Sequence, residues 1–207
     1  FSLVNSGLIQ ASGNLALGQS VHLLSLNNSG TILSDAYLNL FGSSLINSGK
    51  LQAATGSTSS GTTFSNSGVS AQFLTSTAAG SDGSLNFSGA VDNQGTLQSA
   101  GGLSLSSTGT INNSGTIKAS GSNDTLSLSG STLTNTGNID GVDLLNLTAT
   151  SSSGTTLSNS GQIHSVDDLI VVTGGNLSNT SSGKILGDDL LSIATNQTSL
   201  TLTNAGR

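Results

Sequence analysis

Several residue types that are common in globular proteins are absent from this sequence. Its 207 residues contain no Cys, Pro, Met or Trp, and all ten acidic residues are Asp. Without Cys there are no disulfides, an absence expected of a secreted protein that must cross a second membrane unfolded. No apolar run approaches the roughly 18 residues that a membrane-spanning helix needs, so the sequence predicts no membrane span.

Charged and aromatic side chains are scarce as well. Charged residues make up 7% of the chain, aromatic residues make up 3%, and the formal net charge is −6. The few basic residues form no basic patch, which excludes nucleic-acid binding because affinity for phosphate depends on Lys and Arg. We expect no enzymatic activity, because enzymes that cleave polysaccharides need paired carboxylates and usually exposed aromatics, and this chain has one Tyr and no Trp. The basic residues are Lys50, Lys118, Lys184 and Arg207.

Ser, Thr, Asn and Gly dominate what remains, a composition that also occurs in disordered proteins. Two features argue against disorder here. The net charge is too small for strong self-repulsion, and the Leu, Ile and Val residues are spaced regularly along the chain. The sequence therefore predicts a folded, repetitive structure.

One short motif recurs along the whole chain. It consists of an apolar residue, an Asn two positions later, a Gly two further on and a second apolar residue after two more, as in Ile111-x-Asn113-x-Gly115-x-Ile117. Successive copies are about 22 residues apart. Their Asn residues are Asn5, Asn28, Asn47, Asn66, Asn93, Asn113, Asn135, Asn159, Asn179 and Asn204.

A Leu-x-Leu pair follows most of these motifs at a fixed offset, as at Leu103 and Leu105. The apolar positions alternate with period two, which is strand spacing, and clusters of turn residues separate them. A unit this short cannot bury an apolar face alone, so successive units must stack. The sequence predicts an all-β parallel β-helix, a solenoid of about ten coils over residues 1–207. A leucine-rich-repeat solenoid with a helix in each unit is the alternative.

The motif Asn lies two positions from core residues, so we expect it to be buried and to need hydrogen-bond partners. The Asn residues of the coils above and below supply them, which predicts a ladder of stacked amides. The motif Gly either adopts a positive φ at a corner or makes room for a close approach. A polar stripe that recognises a ligand is the other interpretation, although ligand sites do not usually repeat ten times.

The segments "INNSGTIKASGS" and "LINSGKLQAATG" resemble the filamentous-haemagglutinin repeat of two-partner-secreted exoproteins, and the resemblance covers nearly the whole chain. It implies a right-handed β-helix, export through an outer-membrane partner barrel, and a location on the outer surface of a Gram-negative bacterium. The secretion domain of that family contains Asn-Pro motifs, which this Pro-free chain lacks. We therefore expect an internal piece of the stalk.

The resemblance also implies a function. We expect a stalk segment of a large adhesin, without a cofactor, that projects a binding tip towards a host or bacterial receptor or glycan. The stalk of a contact-dependent growth-inhibition protein is one alternative. A biofilm fibre formed by end-to-end self-association is another, because stacked coils expose strand edges at both ends.

Other candidate residues are few. Four Asp residues each lie two positions before a Leu-x-Leu pair in successive coils: Asp124, Asp143, Asp167 and Asp189. Their side chains should stack, although carboxylates about 5 Å apart repel by roughly 0.8 kcal/mol even in water. Such a row is a candidate Ca²⁺ site, while solvated turn carboxylates are the preferred interpretation.

His22 and His164 lack partners at ligand spacing and are expected to be surface or strand residues. Residues 52–90 break the pattern, which indicates irregular, loosely formed coils or else binding loops.

Overall fold

The computed structural model describes residues 2–19, 24–195 and 201–206. In this part of the chain every regular element is a β-strand, so the leucine-rich-repeat alternative is wrong. The strands are β1 (Ser2–Asn5), β2 (Leu8–Ala11), β3 (Leu15–Leu17), β4 (Leu24–Asn28), β5 (Thr31–Ser34), β6 (Tyr37–Asn47), β7 (Lys50–Ala53), β8 (Gly56–Asn66), β9 (Gln72–Ser76), β10 (Gly83–Phe87), β11 (Val91–Asn93), β12 (Thr96–Ser99), β13 (Leu103–Ser107), β14 (Thr110–Asn113), β15 (Thr116–Ala119), β16 (Thr125–Gly130), β17 (Thr132–Asn135), β18 (Asn138–Gly141), β19 (Leu144–Ala149), β20 (Thr155–Asn159), β21 (Gln162–Ser165), β22 (Asp168–Thr173), β23 (Asn176–Asn179), β24 (Lys184–Gly187), β25 (Leu190–Thr195) and β26 (Leu202–Asn204).

Each coil contributes three strand segments, as β13, β14 and β15 illustrate. The Leu-x-Leu segments and the segments that end in the motif Asn stack in two rows of one 17-stranded sheet. The segments after the Asn-x-Gly corner stack in a nine-stranded sheet. Every pairing is parallel and joins equivalent positions of neighbouring coils, which confirms the predicted parallel solenoid. The nine-stranded sheet has one strand per coil, so the ten motif copies bound about nine turns.

The core lies between the two sheets and consists of the alternating apolar positions. Strands β16, β19 and β22 each bury every second residue, as period-two patterning requires. Leu126 and Leu128, which lie three residues late in the sequence, still pair with Leu103 and Leu105. The preceding turn absorbs the extra residues, with Asn123 at a φ of 67°. Local turns therefore absorb differences in repeat length, and the core register is kept.

The stretch 52–90, predicted to be irregular, contains three regular strands, β8 to β10, with turns at 67–71 and 77–82. In β8 the buried Ser57 and Ser59 occupy the positions that Leu38 and Leu40 fill in the coil before. Their small side chains leave space in the core, and three buried Phe rings supply volume in the same coils. The rings of Phe64, Phe73 and Phe87 pack with centroids 5.4 and 5.8 Å apart.

The Asn-x-Gly segment is a corner that joins the two sheets, as between β14 and β15. Of the two roles predicted for its Gly, the structure shows the close approach. Gly115 has no positive φ, and a methyl group on it would overlap the carbonyl oxygen of Gly95 in the coil before. Stacked corners leave no room for a Cβ atom, which explains why the motif requires Gly. Gly68 alone among the motif glycines has a positive φ.

Candidate functional site

The motif Asn residues form a continuous hydrogen-bonded row inside the rod. The side-chain amide of each one donates from Nδ2 to Oδ1 of the Asn in the next coil, at 2.7 to 2.8 Å, from Asn5 through to Asn204. Most amides also donate to the carbonyl of the motif Gly and to a backbone carbonyl of the next coil, as Asn93 does with Gly95 and Thr116. The row therefore holds three strand segments together at every corner.

Burial decides what this row can do. The nine Asn residues before Asn204 are at most 6% exposed, so a ligand outside the rod cannot reach them. Within the described residues, no buried side-chain nitrogen or oxygen lacks a hydrogen-bond partner. The amides of the ladder therefore hydrogen-bond to one another and to the backbone inside the rod, which favours the structural interpretation over a recognition stripe.

The predicted aspartates lie in the turns just before strands β16, β19, β22 and β25 of the 17-stranded sheet, and they separate into two parts. Carboxylate oxygens of Asp167, Asp168 and Asp189 lie within 4.8 Å of one another. Asp143 belongs to the coil before, and its carbonyl accepts a hydrogen bond from the Asp168 backbone at 2.9 Å. Asp124 lies outside this group of three and instead lines an open groove that Asp82 also lines.

Electrostatics in the cluster oppose ionisation of its central carboxyl. Partial burial raises the pKa of Asp167, and the carboxylates of Asp168, Asp189 and Asp143 raise it further. A hydrogen bond with the Asp143 side chain acts in the same direction. These hard oxygen ligands suit Ca²⁺, but Ca²⁺ takes six to eight oxygens, more than three carboxylates supply when each binds through one oxygen.

The pattern of an Asp two positions before a Leu-x-Leu pair includes Asp143, Asp167 and Asp189 but does not include Asp168. Asp168 is the first residue of β22 and points outwards, opposite Leu144 and Leu190 of the neighbouring coils. Its neighbour in sequence, Asp167, is the turn residue that the pattern singled out. Consecutive acidic residues at a strand start were the available signal.

The two predicted histidines have different outcomes. His164 is a strand residue of β21, and its Nε2 lies 3.3 Å from Oδ1 of Asp188 in the next coil. Residue 22, the other His, lies outside the described residues.

Comparisons with family models, curated proteins and solved structures find no match for this chain. The architecture defines the chain as a parallel β-solenoid. Its membership of the filamentous-haemagglutinin repeat family stays a prediction from the sequence. Among the described residues there is no helix of the length and apolarity needed to cross a membrane.

Proposed function

We propose that this chain is a rigid rod segment of a large surface-exposed adhesin, which holds a binding tip away from the cell. The observation that carries the proposal is the unbroken amide ladder, which ties every coil to the next. Nine coil steps at about 4.8 Å each give a rod of roughly 43 Å. Each coil contacts mainly its neighbours, so length is added by adding coils and the cross-section stays constant.

Export to the surface of a Gram-negative bacterium through an outer-membrane partner barrel is part of the same proposal. The absence of Cys supports it, because a chain without disulfides crosses a second membrane unfolded with no bridges to reduce. A rod of this kind would serve equally well as the stalk of a contact-dependent growth-inhibition protein. The two roles differ in the tip that the rod carries.

Surface location can be tested with a single engineered cysteine, because the chain has none of its own. Val69 is 90% exposed at a turn, so a V69C variant should react with a membrane-impermeant maleimide on intact cells that produce the protein. S59C, at a fully buried position, is the matched control and should stay unlabelled while the rod is folded. Labelling of V69C in lysates but not on intact cells would contradict the proposed location.

The rod role itself can be tested with deletions of whole coils. Removing residues 94–159 joins Asn93 directly to Ser160 and takes out three whole coils, because Asn93, Asn113, Asn135 and Asn159 are equivalent positions. The shortened rod should still fold and should lose roughly 14 Å of length in small-angle scattering. Removing residues 94–147 ends within a coil, breaks the register and should impair folding. Equal tolerance of both deletions would contradict a stacked rod.

End-to-end association into a fibre is the second candidate, and the parallel stacking of equivalent positions favours it, because a parallel strand edge can pair with a further coil in the same register. The ladder has a direction, since each amide donates towards the later coil, so two copies would meet head to tail. A concentration-dependent rise in mass by light scattering would support this candidate, and a monomer at all concentrations would exclude it.

A further inference from the structure

A groove with no role in the rod itself lies on the outer face of the 17-stranded sheet. It has a volume of about 460 Å³, within the range of roughly 300–1,000 Å³ found for small-molecule sites. It crosses three coils at the strands β10, β13 and β16. Its lining is polar and small: Asp82, Gly83, Ser84, Gly102, Ser104, Asn123, Asp124, Thr125 and Ser127, with the buried Leu103 beneath.

The groove exists because small residues are stacked in register. Ser84, Ser104 and Ser127 occupy the same outward position of three neighbouring coils. Gly102 lies beside that row, where an added Cβ would face the Asp82 carboxylate and the Thr125 carbonyl, so this part of the floor carries no side chain. The result is a shallow channel that runs along the rod and presents a row of hydroxyl groups.

Two carboxylates line this channel, and one of them is held in place before any ligand arrives. Oδ1 of Asp82 accepts a hydrogen bond of 2.8 Å from the backbone N–H of Gly102, which leaves the other oxygen free to accept. Asp124 lies beside Asn123, whose φ of 67° belongs to the turn before β16. The ionised carboxylates only accept hydrogen bonds, whereas the Ser and Thr hydroxyls and the Asn123 amide can both donate and accept.

The single Tyr of the chain lies next to this channel. Tyr37 is 43% exposed, and its ring covers Gly56 in the next coil. A methyl group at Gly56 would lie 2.9 Å from Cζ of Tyr37 and 2.9 Å from the carbonyl oxygen of Asp82. The ring therefore lies near the backbone of Asp82, at one end of the channel and outside its lining.

Charge narrows the class of ligand. Lys50, Lys118 and Lys184 lie on β7, β15 and β24 of the nine-stranded sheet, and no cation lines the groove. Two carboxylates without a nearby cation repel phosphate, sulfate and carboxylate groups. A hydroxyl-rich neutral molecule suits the site, since its hydroxyls donate to the carboxylates and its C–H faces pack on the Tyr ring.

We propose that this groove binds a neutral oligosaccharide, laid along the rod from the Tyr37 ring to Asp124. The inference goes beyond the proposed function, because a rod that only holds a tip needs no ligand on its flank. A failure here would leave the surface-labelling and coil-deletion results untouched. The two proposals therefore fail separately.

The test is an NMR titration of the ¹⁵N-labelled chain with cellohexaose, laminarihexaose and mannohexaose at millimolar concentrations. At least one of these probes should shift the backbone amides of Gly83, Gly102 and Ser104. A sulfated oligosaccharide should shift them less. Absence of shifts with all three neutral probes, shifts confined to other parts of the rod, or a stronger effect of the sulfated probe would overturn the proposal. So would a stronger effect of tetralysine, which would indicate a site for cations.

Paired variants separate binding from folding. S104L fills the channel and should weaken binding at least tenfold, whereas S106L, at the next outward position of the same strand and outside the groove, should change it less than twofold. Y37A should weaken binding about tenfold, and Y37F, which keeps the ring, should not. Circular dichroism checks that each variant keeps its β-structure. Equal effects of S104L and S106L would show that the groove is not the site.

Discussion

Replacing Asn113 with Leu tests the ladder at a central rung. Nδ2 of Asn113 donates to Oδ1 of Asn135 at 2.8 Å and to the carbonyl oxygens of Asn138 and Gly115 at 2.9 and 3.2 Å. Its Oδ1 accepts from Nδ2 of Asn93 at 2.8 Å. Leu is apolar and removes all four contacts at a position that is 2% exposed.

The hydrogen-bond partners of Asn113 decide how much unfolding free energy the substitution removes. Nδ2 of Asn93 keeps the carbonyls of Gly95 and Thr116 as acceptors, so the donor side loses little. Oδ1 of Asn135 loses the amide that donates to it and is left buried, which costs about 1–3 kcal/mol. The other lost hydrogen bonds add about 0.5–1.5 kcal/mol each, while burial of the Leu side chain offsets part of the total. We expect a net loss of about 3 kcal/mol in the free energy of unfolding.

Urea denaturation followed by circular dichroism measures this loss, with the midpoint compared at constant m-value. The matched control is Asn112→Leu, one residue earlier in the same strand, because Asn112 is exposed and makes a surface hydrogen bond to Asp92. The control should lose less than about 1 kcal/mol. If Asn113→Leu is no more destabilising than Asn112→Leu, the ladder does not stabilise the rod and the reasoning is wrong.

Three further predictions concern the corner, the aspartate cluster and metal ions. Gly115→Ala should destabilise the rod by about 3 kcal/mol or more in the same denaturation assay, because its methyl group overlaps the preceding coil. Gly7→Ala, at the same motif position but with open space around it, should change stability by less than about 0.5 kcal/mol. Asp167→Asn should raise the melting temperature at pH 7, because a raised pKa means that the ionised carboxyl is disfavoured in the folded state. This gain in melting temperature should shrink as the pH falls through the folded pKa towards 4, because the native carboxyl then takes up its proton. Salt at 1 M should also reduce the gain by screening the neighbouring carboxylates. A gain independent of pH would refute the assigned cause. Ca²⁺ should raise the melting temperature no more than Mg²⁺ at equal ionic strength, and a Ca²⁺-specific rise that a chelator reverses would show that the carboxylates bind it.

Much of the fold follows from the spacing of residues along the chain. Period-two alternation of Leu, Ile and Val, repeated about every 22 residues, is sufficient to predict stacked parallel coils. The ladder follows as well, because an Asn in line with buried Ile111 and Ile117 needs partners and only equivalent residues of neighbouring coils can reach it. These features depend on periodicity, which a single sequence displays in full.

Other features depend on which residues of different coils meet, and here the sequence was a poorer guide. Residues 52–90 were expected to be irregular because the Leu-x-Leu pair is missing there. The structure keeps a regular strand at Ser57 and Ser59, and Phe rings from the same and following coils supply core volume. A sequence pattern compares equivalent positions one at a time, so it does not reveal that a large side chain at one position makes up for a small one at another.

What the sequence by itself determined is the repeat, the strand period and therefore the solenoid, since these need only the order of residues along one coil. The tertiary structure decided how one coil fits on the next. It shows that Gly115 is needed for close approach and not for a positive φ, and it places Asp124 beside the groove. It also lays Tyr37 over Gly56. These outcomes follow from contacts between coils about 20 residues apart in sequence, where side-chain volume and backbone approach decide the arrangement and hydrophobic periodicity carries no information.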